Sequence, residues 1–211
     1  MSSEDYQPLC DAIRQHCARS QWYGPDLLGP DATDDPRQFG FAFPPATTEQ
    51  VRETEAVLGF SLPAVLRTLY MELANGGFGP AYGLRGIQGG KPQREGTIPE
   101  FWSQAADMFT LFDLKGNEVQ PGKTFFFLYS QWPRFLIPIV DWGCGIEICI
   151  DCTGGHILRC GPWDENNYGL EYLADSLEEW LQRWMRGELY PEGIIKRASK
   201  ADIADIDANP F

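Results

Sequence analysis

The chain has 211 residues, 43% of them hydrophobic and 13% aromatic, enough for one domain that buries roughly 70% of its unfolded surface. Thirty acidic residues against 17 basic ones give a net charge of −13, which argues against nucleic-acid binding, because that needs Lys and Arg to displace counterions from phosphates. No apolar run approaches the ~20 residues of a membrane span, and Met1 to Asp5 is too polar for a signal peptide, so a cytoplasmic location is expected.

The spacing of Leu9, Ala12, Ile13, His16 and Cys17 predicts an amphipathic helix over Tyr6 to Arg19. Gly24 to Arg37 is rich in Pro, Gly and Asp and reads as a linker or long loop. Thr47 or Thr48 is a candidate N-cap for a helix running to about Leu58, which buries Val51 and Leu58 with Val57 nearby. That helix stops on Gly59. A second restarts at Pro63, whose missing N–H costs nothing in a first helical turn, and it presents Val65, Leu66, Leu69, Tyr70 and Leu73 on one side. Asn75 to Leu84 then forms a glycine-rich turn that leads into a strand.

Further along, Phe109 to Leu114 reads as a strand or a helix end, and Lys115-Gly116-Asn117 as a turn. Strands are predicted at Thr124 to Tyr129, Phe135 to Val140, Glu147 to Asp151 and His156 to Cys160, with a tight turn at Thr153-Gly154-Gly155. Leu173, Leu177, Trp180, Leu181 and Trp184 mark a closing helix. Ser199 to Phe211 is acidic and weakly apolar. Helices, then strands, then a helix make the class α+β, with a mixed, largely antiparallel sheet and flanking helices.

The residue types suggest several chemistries. Cys144, Cys149, Cys152 and Cys160 with His156 invite a zinc site, but Cys149 and Cys152 fall three apart on a predicted strand and point to opposite faces. Small buried hydrophobes are the simpler expectation for them, and neither metal nor cofactor is expected. Only two histidines exist, and His16 beside Cys17 faces elsewhere on a helix, so nucleophilic catalysis lacks its base. Asp141 with Asp151, lined by Trp132, Trp142 and Trp163, is the hydrolase alternative. Asp141 before Trp142-Gly143 is more simply a turn residue bonded to local backbone. Gly76-Gly77-Phe78-Gly79 lacks the lysine and the preceding strand of a phosphate loop, and Lys91 does not supply them. The expectation is therefore a non-enzyme. Trp132, Trp142 and Trp163, beside prolines or glycines in predicted turns, and Tyr82 in the glycine-rich loop are candidates for touching a partner.

Glu55-Ala56-Val57-Leu58-Gly59-Phe60-Ser61-Leu62-Pro63, the helix from Ala64 to Ala74, and Asn75-Gly76-Gly77 resemble the opening of the SUKH superfamily. Pro138-Ile139-Val140-Asp141-Trp142-Gly143-Cys144-Gly145, followed by Asp151 and Gly155, resembles a later part of it. The resemblance covers roughly Phe43 to Leu189 and divides the chain into a helix and linker (1–40), a SUKH-like domain (41–190) and an acidic, flexible tail (191–211). It implies protein binding. Bacterial members commonly serve as immunity proteins that bind a toxin, and fungal members as regulators or scaffolds in cell-wall and growth signalling. The chain's compactness favours immunity, and its charge suits a basic, nuclease-type toxin. The contact surface is then expected at Tyr82 and Arg85, at Glu118, at Asp141 and Trp142, and at Trp163, Asp164 and Glu165.

Overall fold

A computed structural model describes residues 3–19, 43–93, 96–108, 110–112, 118–120, 131–143, 146–160 and 170–189. A single 3-10 turn (Ser3–Tyr6) leads into α1 (Gln7–Arg19), followed by α2 (Thr48–Leu58), α3 (Ala64–Glu72) and α4 (Ile98–Met108). Strands β1 (Thr110–Phe112), β2 (Glu118–Gln120) and β3 (Gln131–Pro133) form one sheet in the order β2-β1-β3, with β1 and β3 parallel. Strands β4 (Leu136–Gly143), β5 (Ile146–Asp151), β6 (Ile157–Cys160) and β7 (Leu170–Ala174) form an antiparallel meander, and α5 (Leu177–Met185) follows it. The class is α+β, as the sequence indicates.

Local chemistry explains the helix boundaries. Thr47 caps α2: its side chain accepts from the Gln50 N–H while Gln50 reaches back to the Thr47 N–H, a capping box that satisfies two otherwise orphaned donors. Gly59 ends the helix in the left-handed conformation, its N–H donating to Glu55 O. Val51, Thr54 and Leu58 face inward, whereas Val57 lies on the outer side, 45% exposed. Glu55 turns back over the break, accepting from the Leu62 N–H and from Arg67 of α3.

One buried hydrophobic cluster joins α1, α2, α3, α4, the β4–β7 sheet and α5. The N-terminal helix is part of it: Tyr6, Leu9, Cys10 and Ile13 are buried there. Arg14 donates to Glu72 O at the carboxyl end of α3, where a cation complements the helix dipole. His16 meets Trp184 of α5 edge-on, with ring centroids 4.6 Å apart. Pro138 sits in β4, an edge strand, beside a register shift, the place where a missing ladder N–H is tolerated.

The structure departs from the sequence expectations in several places: Leu173, expected in the closing helix, lies in the unexpected strand β7, and Trp142, expected in a turn, lies in β4. Helix α4 is absent from the periodicity argument, and its signal lies at its start instead: in the Thr-x-x-Glu pattern, Thr97 donates to the Glu100 carboxylate through both N–H and hydroxyl, the Glu half of a capping box. The strand expected after the glycine turn does not form; residues 83–86 are irregular backbone whose contact with the sheet is a bond from Arg85 N–H to Ile139 O. Trp132 belongs to β3, paired with Leu111 of β1, and not to a turn. The predicted strand at 124–129 lies outside the described residues.

Candidate functional site

The segment from Asn75 to Gln93 has little regular structure, so its backbone is held by side chains and tight turns. Buried Asn75 accepts from the Ile87 N–H and donates to Gln88 O, tying both ends of the loop. Phe78, Leu84 and Ile87 are fully buried and pin it to the core. Gly83, at φ +78°, leaves no room for a side chain, since an added Cβ would stand 2.5 Å from Gly77 O. Ala81 adopts φ +51°, sparsely populated for a residue with a Cβ. Strain of that kind persists where surrounding contacts impose it, and it falls next to Tyr82.

Beneath this loop runs a polar network. Arg85 is fully buried, and its Nη2 donates to both carboxylate oxygens of Glu147 at 3.1 Å while its Nη1 donates to Gly96 O at 3.1 Å. The guanidinium lies over the Phe101 ring, 5.1 Å from its centroid. Gly96 exchanges two backbone hydrogen bonds with Gln93. The Gln93 side chain then donates to Gly83 O at 2.5 Å and accepts from the Asp141 N–H at 2.6 Å. A buried cation, a half-buried carboxylate and one amide thus connect the glycine loop to β4 and β5. Asp141 pairs with Glu147 across β4 and β5, and its Oδ1 accepts from the Gly143 N–H, the local turn bond expected from sequence. Tyr82 stands over Gly143, where an added Cβ would lie 4.0 Å from the ring.

Residues 45–183 match the SMI1 / KNR4 family (SUKH-1), more than half of the chain. The chain belongs to the SUKH-1 family. Membership marks it as an immunity or regulatory domain in general, in a family that is generally non-catalytic and works through protein–protein binding. Comparison with curated proteins finds no match. The matched SUKH-1 region begins after α1, although that helix contributes to the same core.

Within the SUKH-1 domain the expected contact residues divide. Tyr82, whose ring lies near Gly143, and Asp141 are both part-exposed and sit on neighbouring segments joined through Gln93. Trp142 packs part-buried against the core. Arg85 is a correction: its guanidinium is enclosed and committed to Glu147 and Gly96, so it braces the loop from inside and offers no surface. Glu118 opens β2, and Trp163, Asp164 and Glu165 lie outside the described residues. Gln93 and Glu147 were missed, because a glutamine and a glutamate in isolation carry no signal until partners 48 and 62 residues away are known.

The alternative chemistries find little support in the geometry. Both Asp151 oxygens serve the turn after β5, accepting from Thr153 N–H and hydroxyl and from Gly154 N–H. Cys149 and Cys160 are buried with sulfurs 3.4 Å apart. Burial, first, and the neighbouring Cys160 thiol push the Cys149 thiol well up, the opposite of what a metal ligand or nucleophile needs. Cys152 sits just past β5 in the turn, its thiol also raised by burial. Cys144 lies outside the described residues. Among those residues, no group of three or more His, Cys, Asp or Glu is arranged to hold a metal, and no helix is long and apolar enough to cross a membrane.

Proposed function

We propose that this SUKH-1 domain is a cytoplasmic immunity protein that neutralises a basic, nuclease-type toxin by direct binding. The observation that carries the proposal is the Gln93 bridge that holds the part-exposed loop of Tyr82 to the part-exposed strand end of Asp141, in a chain with net charge −13. An aromatic ring and a carboxylate on two neighbouring segments suit a lysine or arginine of the partner, and the overall charge would speed encounter with a positively charged groove. Trp142, Glu118 and Trp163-Asp164-Glu165 are proposed to extend the contact; Arg85 is withdrawn from it. A regulatory scaffold would use the same fold without a toxic partner.

The test is capture of partners by the tagged chain from its native cell extract, with stepwise salt elution and mass spectrometry. One stoichiometric basic partner, toxic when expressed alone and harmless with this chain, supports immunity. Tyr82→Ala should then weaken binding about tenfold or more, and Asp141→Lys should slow association with reduced salt dependence. Many non-toxic partners would favour the scaffold.

A further inference from the structure

The Gln93 side chain joins two segments distant in sequence: the loop bearing Tyr82 and the strand bearing Asp141. Gly83 O can only accept, and the Asp141 N–H can only donate. Bridging them with one rigid group demands a donor and an acceptor on the same planar unit, which the primary amide of Gln93 supplies at any pH near neutral. Asparagine is one methylene shorter. Glutamate at neutral pH has no proton to give Gly83 O, and lysine cannot accept from Asp141. The backbone around Gln93 is itself fixed, through its paired bonds with Gly96, whose carbonyl is held by buried Arg85.

We infer that Gln93 is the positioning residue of the partner surface: an amide latch that sets Tyr82 against Asp141 and Gly143 and makes two distant segments one rigid recognition element. This rests on the binding role proposed above. The latch itself is a property of the free protein and is measurable without a partner. A pre-set surface binds with less ordering cost than one assembled on contact, so the latch fits recognition of a defined cationic side chain more than a loose acidic attraction.

Replacing Gln93 by Glu tests the inference with the full chain. At pH 7 the carboxylate oxygen faces Gly83 O with no proton between them, and the loop side of the latch opens. When the carboxyl is protonated, its O–H donates to Gly83 O while the other oxygen still accepts from Asp141, so the native bridge is rebuilt. Because these bonds favour the neutral acid, closure should occur above the ordinary glutamate value of about 4.3. The readouts are nuclear Overhauser contacts between the Tyr82 ring and Gly143, and hydrogen exchange of the Asp141 amide. Expected for Gln93→Glu is loss of the ring contacts at pH 7 and their return on acidification, with wild type unchanged across the range. Gln93→Ala should lose them at every pH and speed Asp141 exchange about fivefold. Retained Tyr82–Gly143 contacts in Gln93→Ala, or their failure to return in acidified Gln93→Glu, would overturn the latch. If the latch holds but Tyr82→Ala leaves every captured partner bound as tightly, the binding role fails and the latch survives as structure.

Discussion

Removing the Glu147 carboxylate should be one of the costliest single changes in the protein, because of what it leaves behind. Arg85 is 0% exposed, whereas the Glu147 side chain is 14% exposed. In Glu147→Ala the guanidinium keeps its bond to Gly96 O and its place over Phe101 but loses its counter-charge in the interior. Breaking a buried pair from one side typically costs 3–5 kcal/mol; with two of its contacts retained, about 3 kcal/mol is expected. The reverse change, Arg85→Met, fills the cavity with a side chain of similar length and leaves a carboxylate that can reach water, so about 1–2 kcal/mol is expected. Urea unfolding of wild type, both single variants and the pair measures this. For a domain of this size, 3 kcal/mol corresponds to a fall in Tm of about 6–12 °C. The double variant should be no less stable than Glu147→Ala alone. An Arg85→Met cost equal to or greater than that of Glu147→Ala would refute the reasoning, since it would mean that the burial of the cation is not what the carboxylate compensates.

Ile13→Ala should cost about 2–5 kcal/mol by urea unfolding, as for a fully buried core side chain; a cost below about 0.5 kcal/mol would show α1 to be dispensable, although it precedes the matched region. Gly83→Ala should cost about 2 kcal/mol or more, well above Gly155→Ala, because both glycines have positive φ but only Gly83 would clash with backbone; equal costs would contradict that. Burial lowers the His16 basicity, so the unfolded chain takes up the proton first as pH falls. The stability contribution is full above the unfolded value of about 6.5 and is lost as pH drops from there through the lower folded value. His16→Gln should flatten the decline in urea midpoint between pH 7.5 and 5, and an unchanged slope would rule His16 out as its source.

Punctuation carried most of what the sequence revealed about the fold. Gly59 and Pro63 mark the α2–α3 break because each acts through its own backbone freedom, with no distant partner needed. The three-and-four spacing of Leu177, Trp180, Leu181 and Trp184 made α5 legible, though Leu173, counted with it, lies in β7; β5 was found as a strand, but its residues 148–151 are all buried and do not alternate. Helix α4 escaped because its apolar pattern is short and its signal is the Thr97–Glu100 pair. The site was half legible. Tyr82 and Asp141 stand out as an aromatic and an acid beside glycines. Arg85 looks like any other arginine beside a glycine turn, and only the fold, by bringing Glu147 to it from 62 residues away, turns it into an internal brace.

The docking of α1 against α5 also has a consequence for synthesis. His16 is translated early, and Trp184, the ring it meets, leaves the ribosome about 170 residues later. Until then the nascent first helix carries Leu9, Cys10 and Ile13 with no α5 to pack on. The α1–α5 contact therefore forms only after α5 has been translated, a long-range pairing of the kind that slows folding. A ribosome stalled before Leu177 would hold a chain whose first helix lacks its α5 contact.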